Sequence, residues 1–359
     1  MGEPSPLSER ERSFTWRDRD RLVRFGAGAL DEAPTVLAAH GFEHYALLTT
    51  SRGLERAPAL AGAAGVVVEV PAGTVPEAAA AVRPQVGGRP LVALGGGRAI
   101  DSAKAIGAAD RLRVAAVPTT LSGAELTGIH RLPAGVERAA LVCPTLVIAD
   151  PELMASQPMP GLAASAMNAL AHAAEALYTP LANPVAELAA LRAAGLIAGA
   201  LAGASGGDAR ALESPASARA PAREPLALGS VLAAYALDST AIAIHHVVCQ
   251  TLARTAGTPH AETNAVMLPH TLALVARREH PALRRLAAAL GDPHCEPAAV
   301  PRLVARLAWL AGPTRLGDLG ANVSALDAVS DAALRRPELA HTPDPPGRDE
   351  LRSMLDAAL

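Results

Sequence analysis

The run Leu91-Val92-Ala93-Leu94-Gly95-Gly96-Gly97-Arg98-Ala99-Ile100-Asp101-Ser102-Ala103-Lys104 decides the fold of this chain. Four apolar residues read as a buried parallel strand, three glycines as a turn, and the apolar content of Ile100–Ala108 as a helix. Strand, glycine turn and helix present backbone N–H groups and the positive end of a helix dipole, an arrangement that accepts a phosphate. Glycine is required because a Cβ would hold the backbone away from the ligand. A second apolar run, Val114–Val117, ends in Pro118-Thr119-Thr120, with Ser122 close behind. Hydroxyls at the carboxyl end of a strand suit a ligand lying across the sheet edge. The glycines lack the G-x-G-x-x-G spacing, and no Gly-Lys-Ser/Thr follows them. Alone they also fit a plain strand-to-helix turn; the hydroxyls favour a ligand.

Working outward, Ser13–Gly28 reads as an edge strand or hairpin and Leu30–Ala39 as a first helix. Tyr45–Thr50 is a strand with Thr50, Ser51 and Arg52 at its end. In a dinucleotide site that position meets the adenosine ribose, where an acid favours NAD and an arginine tolerates a 2′-phosphate. Arg52 is present and no acid is, so NAD and NADP both remain open. Gly65–Val70 and Leu141–Ala149 are further strands, and Val75–Val82 a helix. Beyond residue 152 nearly every segment has helical spacing, from Gly161–Tyr178 onward. The expected architecture is an α/β dinucleotide-binding domain over residues 1–152 and an all-α domain over residues 153–359 carrying a polar, histidine-rich site. Gly203–Pro225, rich in small residues and proline, reads as a mobile inter-helix loop.

The chain has 359 residues, half of them hydrophobic and 19% charged, enough for a large core in two domains. Its net charge of −3 gives no electrostatic case for nucleic acid or an anionic membrane. Three widely spaced cysteines form no C-x-x-C pair, so neither a disulfide framework nor a thiolate zinc site is expected. The start of the chain is not a signal peptide. Charge or proline interrupts the alanine-rich runs, so no membrane span is expected. The expectation is a cytoplasmic protein. Lys104 is the only lysine against 31 arginines, a bias that makes it worth noting.

The helical half holds a second cluster. Asn168 and His172 are four apart and share a helix face. His246 lies on a later helix, and His260 follows Pro259 at the start of the next. A divalent metal would want imidazoles plus a carboxylate, and Asn168 offers only a neutral amide oxygen. Each histidine is equally well read as a satisfied polar group in a helical core. His245, His270 and His280 have weaker claims.

Taken together, these residues resemble the iron-containing alcohol dehydrogenase superfamily, and most closely its maleylacetate reductase branch. The resemblance rests on Gly95-Gly96-Gly97 with Asp101 and Lys104, on Pro118-Thr119-Thr120 with Gly123 and Glu125, and on Asp150-Pro151-Glu152-Leu153. It is strongest over Met167–Tyr178 and continues through His245-His246, Pro259-His260-Ala261-Glu262-Thr263 and Leu268-Pro269-His270. It implies a Rossmann-like domain followed by a helical domain, the dehydroquinate synthase-like architecture, with a cleft between them for NAD(P)H and substrate. Metal-binding members place Asp, His, His and His where this chain has Asn168, His172, His246 and His260. The maleylacetate reductase branch has Asn first and resembles a metal-independent reductase, so no metal is expected; if one binds, those four residues would hold it. A homodimer is likewise implied.

The chain departs from the branch at several points. Arg98 replaces a serine that would touch phosphate. His130 stands for a tryptophan, Val247 for a lysine, and Gln250 for a histidine of the family's proton-relay region. The expected function is therefore NAD(P)-dependent hydride transfer to or from a small oxo or hydroxy acid. His172, His246, His260 and Asn168 would serve the chemistry, and Gly95, Gly96, Gly97, Arg98, Asp101, Thr119, Thr120, Ser122 and Thr50 the cofactor. Two alternatives stay open. One is a biosynthetic tailoring dehydrogenase, for example oxidising a β-hydroxy acid or the C-terminal threonine of a peptide with decarboxylation. The other is a non-catalytic binding protein that keeps the fold.

Overall fold

The structure is a computed structural model that describes residues 7–206 and 214–359. The chain forms two compact units, one ending at Ser156 and the other running from Gln157 to Leu359.

The first unit is built on a seven-stranded sheet. Its strands are β1 (Ser13–Asp18), β2 (Arg21–Gly26), β3 (Ala46–Thr49), β4 (Val66–Glu69), β5 (Leu91–Gly95), β6 (Val114–Pro118) and β7 (Leu146–Ala149). They lie in the order β1-β2-β7-β6-β5-β3-β4. Only the β1–β2 pair is antiparallel. Helices α1 (Glu9–Arg12), α2 (Ala29–Ala39), α3 (Ser51–Arg56), α4 (Pro58–Ala63), α5 (Val75–Val82), α6 (Gly97–Asp110) and α7 (Pro151–Met154) join and cover them. Every residue of β3, β5, β6 and β7 is buried. Helices on both faces produce this, which is why these strands read as unbroken apolar runs. Successive β5 side chains alternate: Leu91 and Ala93 join the core layer of Val68, Ile100 and Ile106, and Val92 and Leu94 that of Leu37, Tyr45 and Leu60.

The order β4-β3-β5-β6-β7 reverses its winding between β3 and β5. In open α/β sheets the crevice beyond the carboxyl ends at such a reversal receives the ligand. The glycine turn after β5 and Thr50 after β3 lie at those two ends.

The second unit holds α8 (Gly161–Tyr178), α9 (Pro184–Ala204), α10 (Arg223–Thr240), α11 (Ile244–Thr255), α12 (His260–Arg277), α13 (Ala282–Ala289), α14 (Val300–Ala308), α15 (Val323–Leu334) and α16 (Arg348–Ala358). All of α8 but its first residue is buried, so it is the axis of the bundle, packed on α9, α10 and α12. Small residues allow close approach: a Cβ on Gly229 of α10 would lie 2.7 Å from Ile197 of α9.

Several boundaries differ from the sequence reading. The strand expected from Leu141 begins only at Leu146, since Pro144 has no N–H to give a ladder. The helix after the glycine turn starts at Gly97 rather than Ile100, so Arg98 belongs to its first turn. Helix α15 was not anticipated; it buries Leu326, Val329, Ser330 and Ala333 at helical spacing. Among the described residues one helix, α9, is long and apolar enough to cross a membrane by length and composition alone; half of its most apolar window is buried within the bundle. Of the expected loop Gly203–Pro225, α9 covers the first two residues and α10 the last three, with a short 3-10 turn at Pro215–Ser217. Residues 207–213 of it, like the first six of the chain, lie outside the described residues.

Candidate active site

The glycine turn is held from both neighbouring strands. Thr119 N–H donates to Gly95 O at 3.0 Å, and Thr49 Oγ1 donates to Leu94 O at 2.9 Å. Each glycine has its own reason. A Cβ at Gly95 would lie 2.7 Å from the Ala99 Cβ, and one at Gly96 would lie 3.0 Å from Thr120 Cγ2. A Cβ at Gly97 would meet only Ser122, at an ordinary 3.5 Å. Packing therefore explains the first two glycines and not the third. The first i→i−4 bond of α6 runs from Ile100 N–H to Gly96 O, leaving the N–H groups of the preceding turn without an intrahelical acceptor.

The other predicted cofactor residues fall around this turn with different tasks. Arg98 is exposed on the first turn of α6, and Thr119, Thr120 and Ser122 are half-buried after β6. Thr50 caps α3, its Oγ1 accepting from Gly53 N–H at 3.3 Å. Asp101 is committed to Lys104, with Oδ1 2.7 Å from the buried ammonium.

In the second unit, α8 presents Asn168, His172 and Glu175 on one face at i, i+4 and i+7. Glu175 is fully buried. Its Oε1 accepts from the N–H groups of His245 at 2.7 Å and His246 at 3.2 Å, capping the first turn of α11. Its Oε2 lies 2.6 Å from His246 Nδ1. Glu175 is the carboxylate of this cluster, and the sequence expectations do not name it. The available signal was a lone acid inside the apolar run Ala173-Ala174-Glu175-Ala176-Leu177, since a buried charge needs a partner.

The His172 and His246 rings stack with centroids 4.6 Å apart. His246 Nε2 and His172 Nδ1 are buried and have no hydrogen-bond partner among the described residues. Burial pushes His172 well below its ordinary value, helped by His246 and His260. Burial, with His260 and Arg336 nearby, pushes His246 down to about 3. Both rings are therefore neutral at pH 7. His260 is exposed at the start of α12, where its Nε2 lies 3.4 Å from Asn264 Nδ2, and it acts electrostatically on both rings. His245 is a structural group: its ring nitrogens bond Thr271 Oγ1 at 3.0 Å and Asn264 Oδ1 at 2.9 Å. Gln250, one turn beyond His246, accepts from Arg254 at 3.0 Å and Arg336 at 2.8 Å on its amide oxygen.

The sequence pattern of iron-containing alcohol dehydrogenases matches residues 21–151, and that of the C-terminal part of the Fe-containing alcohol dehydrogenase family matches residues 162–359. The maleylacetate reductase of Burkholderia cepacia is 33% identical over 360 residues, covering 96% of this chain and 97% of its own. That of Pseudomonas knackmussii is 33% identical over 331 residues, covering 88% and 90%. The chain belongs to the iron-containing alcohol dehydrogenase family, in its maleylacetate reductase branch. As such it is an NAD(P)-dependent oxidoreductase. The crystal structure of maleylacetate reductase from Agrobacterium tumefaciens superposes with a TM-score of 0.76 at 28% identity, covering 97% of this chain and 98% of that one.

The family's name raises the question of iron. Among the described residues no three His, Cys, Asp or Glu side chains gather into a metal-ligating group. The first of the four family positions holds the neutral Asn168, and the nearby carboxylate of Glu175 is committed to His246 and to backbone N–H groups. Without the family's carboxylate, the set Asn168, His172, His246 and His260 offers a divalent cation imidazoles and a neutral amide but no compensating charge, and no step below runs through one.

Proposed function

We propose that the protein is a metal-independent reductase of a small oxo acid of the maleylacetate kind. When bound, the dihydronicotinamide supplies the hydride. The glycine turn of the first unit seats the dinucleotide diphosphate on backbone N–H groups, with Thr119, Thr120 and Ser122 beside it. His246 handles the proton at the reacting oxygen. The Glu175 carboxylate holds the proton of the neutral ring at Nδ1, so the lone pair at Nε2 faces outward from the dyad. In the alcohol-to-carbonyl direction that lone pair accepts the hydroxyl proton, and Glu175 stabilises the imidazolium that forms; in reduction a proton from solvent passes through Nε2 to the substrate oxygen, with Glu175 stabilising the same transient imidazolium. His172, stacked on the same ring, lines the oxygen's position.

The observation that carries this reading is the unpartnered, buried Nε2 of a histidine whose other nitrogen is held by a buried carboxylate. Its test is the oxidation of NADH and NADPH, followed by absorbance, with maleylacetate as substrate. Turnover is expected to survive EDTA and to fall roughly 10²- to 10⁴-fold in His246→Asn. Full activity in that variant, or activity abolished by the chelator and restored by iron, refutes it.

A second substrate of the same class is favoured by Gln250. Where a titratable relay group was expected, this residue gathers two guanidinium groups one turn from His246. A panel of oxo and β-hydroxy acids, assayed with both cofactors, ranks the candidates against maleylacetate.

A further inference from the structure

The chain's one lysine is fully buried and lies on the helix that follows the glycine turn. Lys104 sits on α6 one turn after Asp101, and its ammonium bonds Asp101 Oδ1 at 2.7 Å. Its other contacts all reach the segment after β6: Ala124 O at 3.0 Å, Ile129 O at 3.0 Å and Thr127 Oγ1 at 3.5 Å. That segment has no helix or strand of its own, so its buried carbonyls need donors from elsewhere. Arg21 of β2 supplies a further one, to Leu126 O.

The same segment forms the second wall of the phosphate cradle. A Cβ on Gly96 would meet Thr120, and one on Gly97 would meet Ser122. The gap between those residues and the glycine turn is set at one end by the Thr119 N–H bond to Gly95 O and, beyond it, by whatever ties the segment to α6. Glu125, inside the strapped stretch, is fully buried and neither of its oxygens has a hydrogen-bond partner among the described residues. The Lys104 charge acts on it, and burial still pushes its carboxyl up to about 7. With Glu125 protonated, Asp101 is the anion that balances the buried ammonium.

We propose that Lys104 is a positioning residue for dinucleotide binding: its ammonium straps the segment after β6 onto α6 and so fixes the width of the diphosphate cradle. It touches no phosphate itself, because all its named partners are protein oxygens. The strap is pre-organisation, holding Thr119, Thr120 and Ser122 in place before the ligand arrives. This inference rests on the functional reading above, since it needs a dinucleotide at the glycine turn.

The test is Lys104→Met, a near-isosteric apolar replacement, with Asp101→Asn as a milder second variant that keeps an oxygen facing the ammonium. Binding of NADH, NADPH and ADP-ribose is measured by calorimetry, and amide hydrogen exchange by mass spectrometry. In Lys104→Met the dissociation constants for the best-bound dinucleotide and for ADP-ribose are expected to rise together, by roughly tenfold or more. Turnover at saturating cofactor should stay within about threefold, and exchange should quicken over residues 119–129 but not over β3 or α8. Asp101→Asn should move the same quantities less. A merely structural lysine would lower the melting temperature and the active fraction while leaving the dissociation constants unchanged. That result in a folded Lys104→Met overturns the inference, as does unchanged binding in Asp101→Asn should the first variant not fold. Wild-type protein that binds none of the three ligands overturns the functional reading, and this inference with it.

Discussion

Oε2 of Glu175 lies 2.6 Å from Nδ1 of His246, with both side chains buried, while Oε1 of the same carboxylate caps the helix on which His246 sits. One residue of α8 thus sets both the tautomer of the imidazole and the place of its backbone.

Replacing Glu175 separates these two tasks. Glu175→Gln keeps an oxygen for the N–H groups of His245 and His246 but turns an amide NH₂ toward Nδ1, forcing the ring proton to Nε2. Glu175→Ala removes both acceptors, and each buried N–H left unsatisfied costs about 1–3 kcal/mol. Turnover is expected to fall roughly 10²-fold or more in both, whereas urea denaturation should show a large stability loss only in the alanine variant. Imidazole ¹⁵N shifts report the proton's move in the glutamine variant.

The three glycines should respond differently to alanine. Gly95→Ala places a Cβ 2.7 Å from the Ala99 Cβ and should lower the melting temperature. Gly97→Ala meets only Ser122, at 3.5 Å, and also gains helix propensity, so its stability should match the wild type within about 1 kcal/mol. On the proposed reading its dinucleotide affinity should nevertheless fall, because the new methyl would stand where the glycine turn seats the diphosphate. Calorimetry showing unaltered NADH and NADPH binding in Gly97→Ala would place the ligand elsewhere.

Glu125 makes stability depend on pH near neutrality. Its carboxyl is raised by burial from an ordinary 4.5 to about 7. The folded chain therefore keeps a proton that the unfolded chain releases above 4.5. This contribution is complete below pH 4.5, declines as pH rises, and is lost above about 7, a change of about 3 kcal/mol at most. Glu125→Gln cannot titrate, so its advantage over the wild type should grow between pH 5 and 8 in thermal melts.

His245 acts in the opposite direction. Burial lowers it from 6.5 to about 3, so the unfolded chain takes up its proton first on acidification. Stability is lost as pH falls from 6.5 toward 3, at up to about 1.4 kcal/mol per pH unit for this group. His245→Gln should be less stable at pH 7, having given up bonds to Thr271 and Asn264, yet show a shallower acid limb in denaturant titrations across that window.

The chain's first unit was largely legible from its residues. Helices on both faces of a parallel sheet impose unbroken apolar strands, and Leu91–Leu94 and Val114–Val117 carry that pattern openly. Glycine runs and strand-end threonines signal the turn because few other residues fit there. Helices with strong periodicity, such as α5 and α8, were placed at Val75–Val82 and Gly161–Tyr178 from spacing alone. What the spacing does not show includes the short helices α3 and α4, α15, whose one buried stripe is framed by polar residues, and the shortened β7, where one proline outweighs an apolar run.

The imidazole site was legible only in part. His172 and His246 stand out as titratable groups on apolar helices, and the structure stacks them. Glu175 did not stand out, since nothing in linear order links it to a histidine about seventy residues away. Lys104 drew attention by its rarity, but its partners at positions 124, 127 and 129 belong to an irregular segment whose path no periodicity encodes.

Sequence by itself determined the class of the fold, the glycine turn after β5 and the membership of the family, because each follows from local pattern: apolar period, glycine and hydroxyl placement, and ordered motifs. Tertiary structure alone decided which nitrogen of His246 is held, which acid holds it, and which carbonyls surround Lys104. Those are facts of distance between segments far apart in the chain, fixed when burial strips the polar groups of water and obliges each to find a partner.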